Sequence, residues 1–399
     1  MKIAFLLHNV YAVGGTARTT MNLATALIEH GGHEVEIVSA SRHRAVPRFP
    51  VDPRISLVPL VDLRAGATDT LHRAYGKRAR VYPTADKRHR QYTLLHDIRV
   101  REYLQERCEA DVVIGTRPGL NVCLAQWGPK RALRIAQEHL RHDAHSGRLL
   151  RTLARRYRTL DALVTVTRED ADVYRARMRL PGVRILSVPN IVPPTDVPPS
   201  DGSSKIIAAA GRLSPGKRYD LLLEAFSAVC AHHPDWELRI YGGGRQEPRL
   251  RALVDELGLR GRAHLMGTVS PIEPEFARAS IVVSASDAES FGMTLVEAMR
   301  CGVPVVSTDA PLGPAEIITD GVDGRLVPVG NASALAESLM DLIEDEPARR
   351  KMGAAARASA HRYDPEPVVR RYESLFEELG ASRRRRAWRR LGGRLRGRI

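Results

Sequence analysis

The chain has 399 residues, 43% of them hydrophobic and 27% charged, a balance that excludes disordered and fibrous classes and, at roughly 150 residues per domain, predicts two or three globular domains. Its 61 Lys and Arg against 46 Asp and Glu leave a net charge of +15, which points to anionic partners: nucleic acid, phosphorylated substrates or an acidic membrane surface.

In chain order, the apolar run Lys2–Leu7, the Gly14-Gly15 break and apolar positions Met21, Leu23, Ala24, Leu27 and Ile28 read as strand, glycine loop and helix. Short apolar strands recur at Val35–Val38, Asp111–Ile114, Leu133–Ala136 and Ala162–Val166. Such runs alternating with helices predict a parallel sheet covered on both faces. Residues 191–204, rich in proline and ending in Asp201-Gly202-Ser203-Ser204, read as a linker. A second alternating series follows: strand Ile206–Ala210, helix Tyr219–His232, strand Glu237–Tyr241, helix Pro248–Leu257, and strands Ala263–Met266 and Ile281–Ser284. The expected fold is α/β with two doubly wound Rossmann-like domains, residues 1–190 and 205–362, facing across a cleft, since open parallel sheets bind ligands beyond their strands' carboxyl ends. Val368, Val369, Tyr372, Leu375, Phe376 and Leu379 form one helical stripe, so residues 363–381 are expected as a helix packed on a domain surface. Residues 382–399 are a basic tail with nine arginines and no acid, interleaved with Trp388, Leu391 and Leu395.

Four cysteines, Cys108, Cys123, Cys230 and Cys301, are widely spaced without a CxxC pair. Neither a disulfide framework nor a structural metal site is indicated, and a reducing compartment fits. The apolar start ends at His8-Asn9, short of a signal-peptide core, and no run reaches membrane-spanning length. The expected location is cytoplasmic.

Two segments carry the chemistry. Glu289 and Glu297 lie eight positions apart beside a strand end. On a mostly helical path they would be about 12 Å apart, with the free amides near Ser290–Met293 available to phosphates. An amphipathic helix with an acid at each end is the ordinary alternative. Gly211-Arg212-Leu213-Ser214-Pro215-Gly216-Lys217 follows the first strand of the second series, where Arg and Lys five apart can clamp a diphosphate; a solvated basic loop is the alternative there. Asp170-Ala171-Asp172 is a metal-like pattern, but Thr167-Arg168-Glu169-Asp170 reads as a capping box opening a helix, which accounts for the acids without a metal. The chain has no P-loop, no GxGxxG after a leading strand and no GxSxG elbow, so triphosphate hydrolysis, dinucleotide redox chemistry and serine hydrolysis are unsupported.

Together, Gly211-Arg212, Lys217 and Glu289-x7-Glu297 resemble glycosyltransferase family 4, the retaining, nucleotide-sugar-dependent enzymes of the two-Rossmann GT-B architecture. Val188-Pro189-Asn190, Gly14-Gly15, Gly242-Gly243-Gly244, Ala298-Met299-x-x-Gly302-x-Pro304-Val305 and Asp320-Gly321-x-x-Gly324 extend the likeness over nearly the whole chain. The resemblance implies that Arg212 and Lys217 bind the donor diphosphate beside Gly211, that Glu297 binds the ribose and that Glu289 binds the transferred sugar. It further implies that the amides of Phe291, Gly292, Met293 and Thr294 complete this site and that Gly15 lets backbone approach the reaction centre. His139, after the strand Leu133–Ala136, is the histidine offered to the donor sugar; Glu138 and His8 are weaker candidates.

The activity implied is metal-independent transfer, with no cofactor, of a hexose or N-acetylhexosamine from a nucleotide sugar, UDP favoured, to a hydroxyl. The acceptor would be a glycan, polyol-phosphate or lipid-linked molecule of the bacterial surface. A UDP-sugar epimerase of the same architecture and a non-catalytic membrane or nucleic-acid adaptor are the rival readings. With aromatics at 5% and no stacking platform, nucleic acid is disfavoured. The tail suits peripheral attachment to the anionic inner face of the plasma membrane, a solvated tail being the alternative.

Overall fold

A computed structural model describes residues 1–12 and 14–396, with side-chain surroundings through Arg385. It forms two compact units, Met1–Ile191 with Pro365–Ile399, and Val192–Asp364.

The first unit is built on a seven-stranded parallel sheet in the order β3-β2-β1-β4-β5-β6-β7. The strands are β1 (Lys2–Leu7), β2 (Glu34–Arg42), β3 (Ser56–Asp62), β4 (Val112–Gly115), β5 (Leu133–Glu138), β6 (Ala162–Thr165) and β7 (Arg184–Ser187). The second unit has six parallel strands in the order β10-β9-β8-β11-β12-β13. They are β8 (Ile206–Ala210), β9 (Glu237–Tyr241), β10 (Ala263–Gly267), β11 (Ile281–Ser284), β12 (Val305–Thr308) and β13 (Gly324–Val327). The α/β, doubly wound expectation holds for both. Central strands such as β4 and β6 are buried at every position, which is why their sequences are uninterrupted apolar runs. In each sheet the winding direction reverses once, between β1 and β4 and between β8 and β11. Those reversals open a crevice at the strands' carboxyl ends, where ligands of such sheets bind.

The helix Pro365–Arg396 returns to the first unit. Val368, Val369, Tyr372, Leu375, Phe376 and Leu379 are buried where this helix packs on the helix Gly15–Glu29 and on β5, each side chain contributing on the order of 2 kcal/mol by burial. The Tyr372 hydroxyl accepts the Gln137 amide at 2.8 Å. The helix does not stop at residue 381. Arg383, counted with the basic tail, is a structural residue: it forks onto Asp161 at 3.0 and 2.5 Å and donates to the Lys130 and Arg131 carbonyls at 3.1 Å. Trp388, Leu391 and Leu395 have side chains outside the described residues, and 397–399 lie outside them entirely. No described helix is long and apolar enough to cross a membrane.

Two further expectations are corrected. Residues 200–204 are not a free linker: the Ser200 amide bonds Cys301 O at 2.8 Å, its hydroxyl bonds Ala279 O at 2.7 Å, and buried Arg349 donates to Gly202 O at 2.9 Å. The capping box at Thr167 does not form either. The helix starts at Arg168 without a side-chain cap, and Asp170 instead accepts the His142 amide at 3.0 Å, pinning the loop after β5.

Candidate functional site

At the switch point of the second sheet, two loops 72 residues apart in sequence are stitched together. The Asp287 amide donates to Gly216 O at 3.0 Å, Arg218 reaches Asp287 at 3.1 Å, and Lys217 Nζ forms an ion pair with Glu289 Oε1. Gly211 to Lys217 leaves β8 and Ser286 to Glu289 leaves β11, adjacent strands, so the sheet itself brings the two motifs together. Ser286 donates to Glu289 Oε1 at 2.9 Å, and Thr308, at the end of β12, donates to Ser286 O at 2.6 Å. Glu289 also donates its amide to Pro311 O at 3.3 Å and bridges to Leu312. Leu312 holds φ at +115°, a strained value for a non-glycine residue. Ser286, Asp287, Arg218 and Leu312 were missed in the sequence. Only their closeness to the expected pair could have flagged them.

Glu289 and Glu297 are not on one helix. Gly292, at φ +112°, turns the chain, and the helix begins at Met293 and runs to Arg300, so the 12 Å helical spacing does not apply. Glu297 is buried, at 2% exposure. The Met293 and Thr294 amides open the first turn, where a helix has no carbonyl acceptors of its own and carries partial positive charge. Phe291 is buried and meets the Tyr363 ring edge-on at 5.4 Å, which fixes the approach to that turn. Arg212, by contrast, is exposed and forms no ion pair among the described residues.

Close backbone packing holds the first of these loops. Gly242 has φ +147°, and a Cβ there would overlap the Gly211 carbonyl oxygen, so only glycine lets the loop after β9 pass beneath the loop after β8. Gly15 differs: a Cβ on it or on Gly14 would meet no described atom within 4 Å. Packing does not explain those glycines.

In the first unit, His139 directly follows β5. Burial pushes its pKa down to about 4, so its imidazole is neutral near pH 7, and Nε2 is buried with no hydrogen-bond partner among the described residues. A neutral ring nitrogen there suits a hydroxyl partner. Glu138, the neighbouring candidate, is corrected: fully buried, it accepts the Asn121 amide at 2.9 Å and the Tyr157 hydroxyl at 2.5 Å, and His145 stands 3.6 Å away. It organises the core beneath His139. His8, at the end of β1, bonds Tyr92 Oη at 2.8 Å. Burial first, then the charges of Arg88 and Arg117, bring its pKa down to about 3.

Among the described residues no group of three or more His, Cys, Asp or Glu side chains is arranged to hold a metal ion. Asp170 and Asp172 diverge, the first into the core and the second onto Arg175.

Residues 13–196 match the Glycosyltransferase Family 4 profile and residues 196–359 the Glycosyl transferases group 1 profile. The chain is 35% identical, over 96% of its length, to an exopolysaccharide phosphotransferase of Streptomyces coelicolor, of which it spans 41%. It is 26% identical, over 48% of its length, to the poly(ribitol-phosphate) alpha-N-acetylglucosaminyltransferase of Staphylococcus aureus, of which it spans 39%. Thus the chain spans about two fifths of the length of both relatives. Among solved structures it resembles Staphylococcus aureus TarM in complex with UDP, fondaparinux and alpha-GlcNAc-glycerol. That likeness has a TM-score of 0.76 at 16% identity, covering 94% of this chain and 99% of TarM, and it is one of fold.

Proposed function

Because this chain belongs to the family 4 glycosyltransferases of GT-B fold, we propose that it moves a hexose or N-acetylhexosamine from a nucleoside diphosphate sugar, UDP favoured, to an acceptor hydroxyl in bacterial surface-glycan synthesis. The observation that carries this reading is the stitched pair of loops at the β8/β11 switch point, with Lys217 and Glu289 in contact beside the free helix end at Met293.

In this reading the diphosphate lies over the first-turn amides, with exposed Arg212 clamping it by a forked contact. Lys217 leaves Glu289 for a phosphate oxygen as the donor enters. Two unit charges about 4 Å apart attract by about 4 kcal/mol at an effective dielectric of 20 before desolvation, an attraction that the phosphate charges would replace for Lys217. Freed from Lys217 yet still held by Ser286, the Glu289 carboxylate accepts hydroxyls of the transferred sugar, and buried Glu297 accepts the ribose diol. In the first unit, neutral His139 offers a ring nitrogen suited to a sugar hydroxyl, and the Gly15 backbone is open to ligand approach.

Transfer then proceeds with retention by front-side attack. The acceptor oxygen bonds the anomeric carbon on the face from which the diphosphate leaves, and a leaving phosphate oxygen takes the acceptor proton. Charge growing on the diphosphate is met by Arg212, Lys217 and the helix end, the role a divalent cation has elsewhere, with no metal required. UDP is favoured because the Thr308–Ile318 segment resembles that of surface-glycan transferases. The test is a panel of UDP-, GDP- and ADP-sugars scored for thermal stabilisation and donor consumption, with the anomeric proton of the product read by NMR. Stabilisation by one UDP-sugar and an axial product from an axial donor are expected. No response to any donor overturns the reading, and an inverted product overturns retention.

A further inference from the structure

Between β3 and the helix Leu94–Glu102 the chain makes an excursion whose residues 72–92 contain seven Lys or Arg: Arg73, Lys77, Arg78, Arg80, Lys87, Arg88 and Arg90. All seven are exposed, and none forms an ion pair among the described residues. The stretch has one acid, Asp86, which is 4% exposed and is taken by Arg117 at 3.0 Å. Elsewhere the chain pairs its arginines freely, as Arg54, Arg64, Arg99, Arg184 and Arg218 show. Here seven like charges stand within 18 residues, uncompensated, although their mutual repulsion opposes an ordered loop.

The loop is nevertheless built. The buried Asp97 carboxylate accepts the amides of Arg80 and Val81 at 2.5 and 2.9 Å. Tyr82 and Tyr92 stack with ring centroids 3.6 Å apart, Tyr92 bonds His8 at the end of β1, and Tyr82 bonds Arg117 just past β4. The loop is therefore fastened to the ends of the two strands between which the first sheet reverses, the place where such a sheet takes its ligand. Apolar and acidic side chains face inward to make the fastening, and the cations face out.

We infer that this basic strap is an acceptor-recognition surface for a phosphodiester-linked polymer, which it holds at the β1/β4 switch point of the first unit. The substrate class rests on the transferase reading above; the binding surface does not. Seven cations distributed along a strap match regularly spaced single negative charges, which a neutral glycan lacks and which a nucleotide, with its charges on adjoining phosphates, does not present in a row. A polymer of that kind condenses counterions, so its affinity falls steeply with salt in proportion to the phosphates neutralised.

The experiment uses the full chain and the variant Lys77→Ser/Arg78→Ser/Lys87→Ser/Arg88→Ser, whose side chains are all exposed. Binding of fluorescent poly(glycerol phosphate) is measured by anisotropy against salt, with a neutral dextran oligosaccharide and vesicles containing phosphatidylglycerol as comparison probes. Expected are binding of the polymer but not the dextran, a loss of tenfold or more in the variant with a shallower salt dependence, and a melting temperature no lower than the parent's. Donor stabilisation by UDP-sugar should be the same in both proteins. Equal polymer affinity of parent and variant overturns the proposal. So does a variant that loses vesicle binding but keeps the polymer, which assigns the strap to a membrane surface. Polymer binding without any donor response retains the surface and rejects the transferase reading, so the two fail separately.

Discussion

The Lys217 ammonium and the Glu289 carboxylate, which belong to different loops, are ion-paired to each other, with the Ser286 hydroxyl on the same carboxylate oxygen at 2.9 Å. In the proposed function this pair is a cation for phosphate and a carboxylate for sugar, which would hold one another until the donor separated them. Lys217→Ala should lower kcat about 10²- to 10³-fold, the range for losing one donor to a developing oxyanion. Lys217→Ala/Glu289→Gln should cost less than the product of the single losses, because the groups act as a unit. Steady-state kinetics on the four proteins checks both; near-normal turnover in Lys217→Ala would reject the clamp.

Two glycines should respond in opposite ways. Alanine at Gly242 places a methyl on the Gly211 carbonyl at φ +147°, which should destabilise by about 1–3 kcal/mol and weaken donor binding by displacing the loop that carries Arg212 and Lys217. Alanine at Gly15 meets no described atom within 4 Å and stands in the first turn of a helix, where it should add up to about 1 kcal/mol of stability. If ligand approach is why glycine occupies that site, turnover must fall all the same. Melting temperature and kcat/KM measured on both variants separate packing from function, and an active Gly15→Ala would remove Gly15 from the site.

Acid should destabilise the first unit. Burial holds His8 at about 3 and His96 and His139 at about 4, all below their ordinary value of 6.5. Between pH 6.5 and 4 the unfolded chain therefore binds more protons at these three sites than the folded one, so stability rises with pH through that window and is lost as pH falls. Asp170 has the opposite sign: burial brings it up to about 6 from 3.8, so the folded state holds the extra proton between those values and stability from this group is lost as pH rises. Three histidines against one aspartate leave a net loss in acid. Thermal melts from pH 7 to 4 should show it, and His96→Asn should make the slope shallower; a flat profile would contradict the burial of these rings.

How much of this the sequence discloses depends on how each part is held. Strands β1, β4 and β8 are continuous apolar runs because both faces are covered, and they are legible at sight. Strand β3, with Pro59 and only two buried positions among its seven residues, carries no such signal, nor do β7 and β13 at the edges of their sheets. The Glu289-x7-Glu297 spacing is visible, but the break at Gly292 is a matter of one positive φ, and it decides that Glu289 sits on a loop facing Lys217. Least legible is the strap at 72–92. Its order comes from the Asp97 carboxylate and a tyrosine stack closed over strand ends far away in sequence; its own residues show a basic character that suggests an anionic acceptor or a solvated surface, and nothing of that order.

The return of the C-terminal helix gives a last prediction, on where the basic tail stops being dispensable. Arg383 makes a forked contact with Asp161, whose side chain is 8% exposed and which also accepts the Arg134 amide at 2.9 Å. That carboxylate thus joins the helix at Arg383 to the start of β5. Removing the guanidinium leaves a buried carboxylate with fewer donors, at a cost of about 1–3 kcal/mol. Truncation after Arg383 should therefore leave the melting temperature unchanged, while truncation after Ser382, one residue shorter, and Arg383→Ala should each lower it. Hydrogen exchange should show faster amides at Arg134 and through the helix near Leu379 in the latter two proteins only. Equal stability of the two truncations would show that the stripe from Val368 to Leu379 seats the helix unaided.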